Sequence, residues 1–253
     1  MLCMSALFAG VVGCDGARGA EEPPAYTVVA RWPHDAAAYS QGLVWHDSVF
    51  FESTGLYGRS QLRRVHPRSG TVLASVALPA NRFGEGLALL HNRLYQLTWE
   101  SHVAYVYVAA TLAPIDSFTY AGEGWGLETN GTSLIMSDGS DSLRFMSPAT
   151  HRVEHVVHVR YRDAPLSRLN ELEYVAGELF ANVYESDRVA RIDPLTGNVR
   201  QLLDFTDLYP RDQRPPGAGV MNGIAATPSG TLMLTGKLWP VMFEVRLKGT
   251  RAP

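Results

Sequence analysis

A chain of 253 residues that is 46% apolar and 19% charged can bury one large core, and closed all-β architectures reach this size as a single domain. A formal net charge of −3 and a pI near 6.2, with the arginines scattered rather than clustered, give no electrostatic footprint for nucleic acid. No shift in composition marks a second domain.

Both cysteines, Cys3 and Cys14, precede the first predicted strand, so the folded body has neither a disulfide nor thiol chemistry. From Leu2 to Gly13 runs an uncharged apolar stretch, too short to span a bilayer and as long as the core of a signal peptide. It ends in Val11-Val12-Gly13-Cys14, which resembles a bacterial lipobox. Residues 1–14 are therefore expected to be a lipoprotein signal with Cys14 lipidated, and residues 15–25 a small-residue tether. The protein is then exported, to the periplasm or the cell envelope. A plain secretory signal is the alternative, since no Lys or Arg precedes the apolar run.

The first predicted strand is Tyr26 to Trp32. Beyond it a tripeptide recurs five times, as Gln41-Gly42-Leu43, Glu85-Gly86-Leu87, Trp125-Gly126-Leu127, Asn170-Glu171-Leu172 and Asn222-Gly223-Ile224, at steps of 44, 40, 45 and 52 residues. The eighth residue after each Leu or Ile is again apolar: Phe51, Tyr95, Ile135, Phe180 and Leu232. A period of about 45 residues suits a four-stranded propeller blade, and the long 3.6-period apolar stripes of helical repeats are absent. Each tripeptide leads through turn residues to a β-favouring run, at Val49 to Glu52, Leu94 to Thr98, Ser133 to Ser137, Glu178 to Val183 and Thr231 to Thr235. A third run follows in most copies, for instance Gln61 to Val65 and Val189 to Ile192. Turn signals such as Arg68-Ser69-Gly70 then introduce a fourth, Val72 to Leu78 or Val199 to Phe205. The fold class is therefore all-β: a five-bladed β-propeller of four-stranded antiparallel blades over residues 26–253. The fifth copy stops soon after Lys248, too early for a fourth strand. Tyr26 to Trp32 is expected to close the ring as that blade's outer strand and to hide its exposed edge.

The first residue of each tripeptide enters the innermost strand, so Gln41, Glu85, Trp125, Asn170 and Asn222 are expected to ring the channel mouth, where the loops of a repeat converge. Taken singly, each reads as a strand-entry residue bonded to a neighbouring loop; five convergent copies point to a pocket. Four residues beyond the apolar second-strand position, the copies read Gly55, Trp99, Gly139, Tyr184 and Gly236, a variation too sharp for a packed core. The next positions are Leu56, Glu100, Ser140, Glu185 and Lys237, which adds a lysine to the same layer. His151, His155 and His158 fall on an outer strand without an acidic ligand at metal-binding spacing and read as a solvated face. The sequence holds no phosphate loop, HExxH or GxSxG.

Longer motifs surround these positions: Tyr39-Ser40-Gln41-Gly42-Leu43, Glu52-Ser53-Thr54-Gly55-Leu56-Tyr57-Gly58, Phe83-Gly84-Glu85-Gly86-Leu87, Gly124-Trp125-Gly126-Leu127, Leu169-Asn170-Glu171-Leu172-Glu173-Tyr174, Met221-Asn222-Gly223-Ile224-Ala225 and Thr235-Gly236-Lys237-Leu238-Trp239-Pro240. Together they resemble the plant and bacterial type of glutaminyl cyclotransferase, from about Ala30 to Leu247. The resemblance implies a five-bladed propeller that converts the N-terminal glutamine of a peptide or protein to pyroglutamate with release of ammonia. It also implies that Glu85 is the acid/base carboxylate and that Gln41, Trp99, Trp125, Asn170 and Lys237 line the pocket. One motif departs from the family: Ala181-Asn182-Val183-Tyr184 ends in Tyr where Trp is usual, which keeps an aromatic wall and adds a hydroxyl.

The residues suit that chemistry on their own terms, because an intramolecular attack needs a snug pocket and one proton carrier rather than a covalent nucleophile. Glu85, Asn170 and Lys237 form the expected catalytic set, with Gln41, Trp99, Trp125, Tyr184 and Asn222 binding substrate. No catalytic cofactor is expected, and a structural divalent ion in the channel is left open. The expected partners are peptides or proteins beginning with glutamine, with membrane contact only through Cys14 and a monomeric state. Two rival readings remain at this point. In a metal-dependent, lactonase-like hydrolase, Glu85, Asn170 and Asn222 would surround a divalent ion, which Lys237 would repel. A non-catalytic, lipid-tethered peptide-binding propeller is the other, and fold alone does not exclude it.

Overall fold

The structure, a computed structural model, describes residues 25–248. The expected signal segment, the lipidation residue Cys14 and residues 15–24 of the tether lie outside the described residues. After β1 (Tyr26–Pro33), blade one holds β2 (Ser40–His46), β3 (Val49–Thr54), β4 (Gln61–Val65) and β5 (Val72–Ala77). Blade two holds β6 (Gly84–Leu90), β7 (Arg93–Thr98), β8 (Val103–Val108) and β9 (Pro114–Thr119). Blade three holds β10 (Leu127–Thr129), β11 (Leu134–Ser137), β12 (Ser142–Met146) and β13 (Val153–His158). A small hairpin, β14 (Arg160–Tyr161) with β15 (Ala164–Pro165), precedes blade four, made of β16 (Leu169–Val175), β17 (Glu178–Val183), β18 (Arg188–Ile192) and β19 (Val199–Asp204). Blade five holds β20 (Met221–Ala226), β21 (Leu232–Gly236) and β22 (Val241–Leu247), with β1 paired antiparallel to β22 from Tyr26 opposite Leu247 to Pro33 opposite Val241. The N-terminal strand thus closes the ring as the sequence predicts. The longest repeat step, 52 residues, holds the loop after β19 with its 3₁₀ turn at Arg211–Gln213.

Local sequence explains the hairpins and the layers. Asp47 and Ser48 between β2 and β3, at φ 46° and 63°, and His91 and Asn92 between β6 and β7, at φ 49° and 60°, take the left-handed conformations that two-residue hairpins require. Burial falls from the axis outward: β6 is buried at every position but Leu89, whereas β5 and β13 are mostly exposed. The apolar core lies between blades, as where Ile135, Leu143 and Phe145 of blade three pack with Leu172, Leu179 and Ala181 of blade four.

Around the axis, the inner strands β2, β6, β10, β16 and β20 each touch their neighbours in turn. The approach is so close that a Cβ on Gly86 would sit 2.3 Å from the amide nitrogen of Leu127, which accounts for glycine inside the repeated tripeptide. Blade four carries Glu171 there instead, and its side chain reaches across the axis, accepting the N–H of Leu43 at 3.2 Å and of Ile224 at 2.8 Å. The ladders also slip register at the tripeptides, between Ser40 and Gly42, Gly84 and Leu87, Leu169 and Leu172, and Met221 and Ile224. Such bulges re-aim side chains off the strict in-and-out alternation, which is how polar first residues leave the core. Blade three differs from the sequence expectation: β10 begins at Leu127, so Trp125 precedes the strand. Its carbonyl accepts the N–H of Gly86 from blade two at 2.7 Å.

Ring closure is clasped by a buried ionic cluster. Glu52 bonds His34 Nε2 at 2.9 Å, Ser40 Oγ at 2.6 Å and an Arg63 guanidinium nitrogen at 2.6 Å, while His34 Nδ1 lies 2.7 Å from the carbonyl of Trp239 in blade five. Burial pushes the Glu52 carboxyl up, but the charges of His34 and Arg63 outweigh it and hold it at about 2. Burial likewise opposes a charged His34, and Glu52 still holds it above its ordinary value. Breaking a buried pair strands its partner at a cost of about 3–5 kcal/mol, so Glu52→Gln should melt well below the parent at pH 7. Because the folded value of Glu52 lies below its unfolded one, its contribution is complete above about 4.5 and fades as pH falls toward 2. Thermal melts at pH 7 and pH 3 should therefore show a gap that narrows in acid; equal melting temperatures at pH 7 would mean that the cluster does not hold the closure.

Candidate active site

A cavity of about 230 Å³ opens where the inner strands begin. Seven of the residues expected from the sequence line it: Gln41, Glu85, Trp99, Trp125, Asn170, Tyr184 and Lys237. Tyr39 and Phe83 complete the wall; both stand in the quoted motifs, each two residues before a strand-entry position, Gln41 or Glu85, but neither was expected in the site.

Glu85 sits in the bulge of β6 and is 5% exposed. Gln41 Nε2 donates to Glu85 Oε1 at 2.7 Å, and Gln41 Oε1 accepts from Asn222 Nδ2 at 3.0 Å, so the chain of bonds fixes which way the Gln41 amide points. Asn222 is fully buried, also donates to the Ser40 carbonyl at 3.0 Å, and does not line the cavity. The structure therefore moves Asn222 from the substrate-binding set expected of it to the layer behind Gln41, because both its amide protons are drawn toward blade one.

Lys237, 4% exposed and just beyond β21, points its Nζ at two aromatic faces, 4.9 Å from the Tyr39 ring centre and 5.0 Å from that of Tyr184. Such faces stabilise an ammonium that has lost its water. Burial pulls the Lys237 amine below its ordinary value, and Glu85 opposes that pull. Conversely, burial pushes the Glu85 carboxyl well above the usual carboxylate range; Lys237 draws it down and the charge of Glu123 adds to the rise. A carboxyl lifted toward neutrality in a cleft has the character of a general acid/base.

The apolar walls are aromatic and mutually braced. Trp125 meets Tyr184 edge to face at 5.3 Å, and Phe83 meets Trp99 at 5.7 Å and Tyr39 at 5.9 Å. Gly139 is glycine because the Trp125 ring lies over it, so that a Cβ would come within 2.7 Å of the indole. Glu123, which the sequence reading missed, accepts the indole N–H of Trp99 at 2.7 Å and of Trp125 at 2.8 Å on the same oxygen. It lies two residues before a repeated tripeptide, at no position the repeat marks. Asn170 is 2% exposed, and its Oδ1 is buried without a hydrogen-bond partner.

The other expectations fall outside the cavity. Glu185 pairs with Arg168 at 2.6 Å on the surface. His151 stacks on Phe118 and His155 on Phe145, while His158 faces Asp141 at 3.3 Å, so the three histidines of blade three have separate partners. Among the described residues, no group of three or more His, Cys, Asp or Glu side chains is arranged to hold a metal.

A family model described as glutamine cyclotransferase matches residues 4–247. The chain is 39% identical over 230 residues to a glutaminyl-peptide cyclotransferase of Arabidopsis thaliana, a match that spans 89% of this chain and 72% of that protein. It is also similar to the crystal structure of Myxococcus xanthus glutaminyl cyclase, with a TM-score of 0.81 and 38% identity over 89% of this chain and 98% of the other.

Proposed function

The chain belongs to the glutamine cyclotransferase family, and from that premise we propose that its cavity closes the N-terminal glutamine of a peptide to pyroglutamate, with Glu85 as the one proton carrier and no metal in the chemistry. The observation that carries this reading is the buried Glu85 carboxyl facing a buried Lys237 in a pocket otherwise walled by aromatic rings. The α-amine of the substrate attacks the side-chain carbonyl carbon, forming the ring C–N bond and an oxyanion. Glu85 takes the proton from that amine and returns it to the carboxamide nitrogen as the old C–N bond breaks and ammonia leaves. Gln41 occupies Glu85 Oε1, which leaves Oε2 for the transfer.

In this reading Asn170 and Lys237, both buried, meet the oxyanion, and burial strengthens such contacts. The unpartnered Oδ1 of Asn170 also suits a substrate N–H donor. The aromatic walls hold the side chain curled, and well-oriented intramolecular attack reaches effective molarities of about 10⁵ M or more. A structural divalent ion in the channel would have to compete with the two backbone amides already bonded to Glu171.

Export with a lipid anchor at Cys14 is part of the same proposal, supported by the apolar run from Leu2 to Gly13 and the Val11-Val12-Gly13-Cys14 sequence. Cys14→Ser should move the protein from the membrane to the soluble fraction of cells expressing the full chain; unchanged partitioning would remove the anchor.

Glu85→Gln keeps shape and removes the proton carrier, so it should melt like the parent and lose about 10²- to 10⁴-fold in kcat on a Gln-initiated peptide. Near-parental turnover would reject the assignment, and activity lost to a chelator and restored by a divalent ion would reject the metal-free chemistry. Tyr184→Ala removes a wall that faces both Trp125 and Lys237, and KM should rise about tenfold, equivalent to about 1.4 kcal/mol. Tyr184→Trp should hold KM near the parent value.

A further inference from the structure

The connection between blades two and three carries a half-buried carboxylate that the proposed reaction does not consume. Glu123 accepts the indole N–H groups of Trp99, from the loop between β7 and β8 of blade two, and Trp125, just before blade three, on one oxygen, Oε2. Both indoles, which line the cavity, therefore have their polar edges tied to one point. Among the described residues Glu123 is the only hydrogen-bond partner of either indole N–H; Trp99 also meets the Phe83 ring, and Trp125 the Tyr184 ring and Gly139. Among the described residues no Arg, Lys or His is ion-paired with Glu123, so its charge is not cancelled locally. It acts on Glu85 instead.

We infer that Glu123 is a positioning residue of this active site: it ties both tryptophan walls at a fixed spacing and brings a carboxylate to the edge of the pocket that holds Glu85. The inference rests on the cyclisation reading above. The groups that face Glu85 are the Gln41 amide from β2, the Lys237 ammonium beyond β21, the phenols of Tyr39 and Tyr120, and Glu123. Lys237 draws the Glu85 carboxyl down, and Glu123 raises it. Removing the Glu123 charge should therefore lower the Glu85 value, since a like charge is lost while burial, the largest cause of the rise, and Lys237 stay in place. Removing the carboxylate altogether also frees two indoles to rotate, which loosens the pocket before any chemistry occurs.

Two substitutions separate these effects. Glu123→Gln keeps an oxygen that can accept both indole protons and discards the charge. Glu123→Ala discards both. Each variant and the parent are compared by thermal melt, tryptophan emission, and kcat and KM for one Gln-initiated peptide from pH 5 to pH 9. The substrate amine is common to all three, so a displaced acid limb reports the enzyme.

Glu123→Gln is expected to shift the acid limb of kcat/KM to lower pH with KM within about twofold of the parent. Glu123→Ala is expected to raise KM about tenfold or more, with a smaller change in kcat and an altered tryptophan emission. An acid limb unmoved in Glu123→Gln overturns the inference, and it does so even if Glu123→Ala fails to fold. A folded Glu123→Ala with parental KM and emission overturns the wall-tying part. Failure of the cyclisation reading would show separately, as a parent protein without turnover.

Discussion

Everything in this molecule follows from the crowding of five inner strands about one axis. Where β6 passes β10 there is no room for a Cβ at Gly86, and the ladders relieve the approach by slipping register at the tripeptides in four of the five blades. A slip re-aims the residue beside it. The same feature that lets the ring close therefore turns Gln41, Glu85 and Asn170 toward a shared cavity at one end of the channel. Glu171 shows the other solution to the crowding, a side chain that spans the axis and satisfies amides of β2 and β20.

Three of the buried glutamates in this ring carry the same functional group with different consequences. Glu52 lies between a histidine and an arginine, and their charges hold it at about 2, permanently ionised and structural. Glu171 receives only backbone amides, and burial together with the nearby Glu173 pushes it well above the usual range. Glu85 is intermediate in its surroundings: it has one cation, Lys237, whose own charge is weakened by burial, and it faces an open cavity. Of the three, only Glu85 combines a raised carboxyl with a place on the cavity wall, the setting of a general acid/base. Burial raises the stakes in all three cases; the partners decide the outcome.

The repeat made the fold legible, because a tripeptide at near-constant spacing is a direct imprint of the axial crowding. It also marked Gln41, Glu85, Asn170 and Lys237, since pockets at the mouth of a repeat draw on equivalent positions. Its limits are those of equivalence. Asn222 occupies the same place in blade five as Asn170 in blade four, yet it is fully buried and bonded to the neighbouring blade, with no face on the cavity. Trp125 was expected to enter its strand and precedes it, because its carbonyl is taken by Gly86. Glu123 had no repeat signal, since its role exists only where two tryptophans from adjacent blades converge, and nothing in linear spacing encodes that meeting.

Tyr184 shows what the site demands at the position where the resemblance implies a tryptophan. The Tyr184 ring does two things here. It stands edge to face against Trp125 at 5.3 Å, and it offers a π surface to Lys237 at 5.0 Å. The second matters because Lys237 is 4% exposed and, among the described residues, has no carboxylate bonded to it, so its ammonium is held by the faces of Tyr39 and Tyr184 and by the field of Glu85. Any aromatic ring of suitable reach meets both demands, with Trp the strongest π partner of the three and Phe and Tyr close behind. An aliphatic residue meets neither, since it fills volume without a quadrupole to face the cation. The constraint at residue 184 is therefore on the electrostatics of the wall more than on its shape, and it couples the aromatic side of the pocket to its charged side.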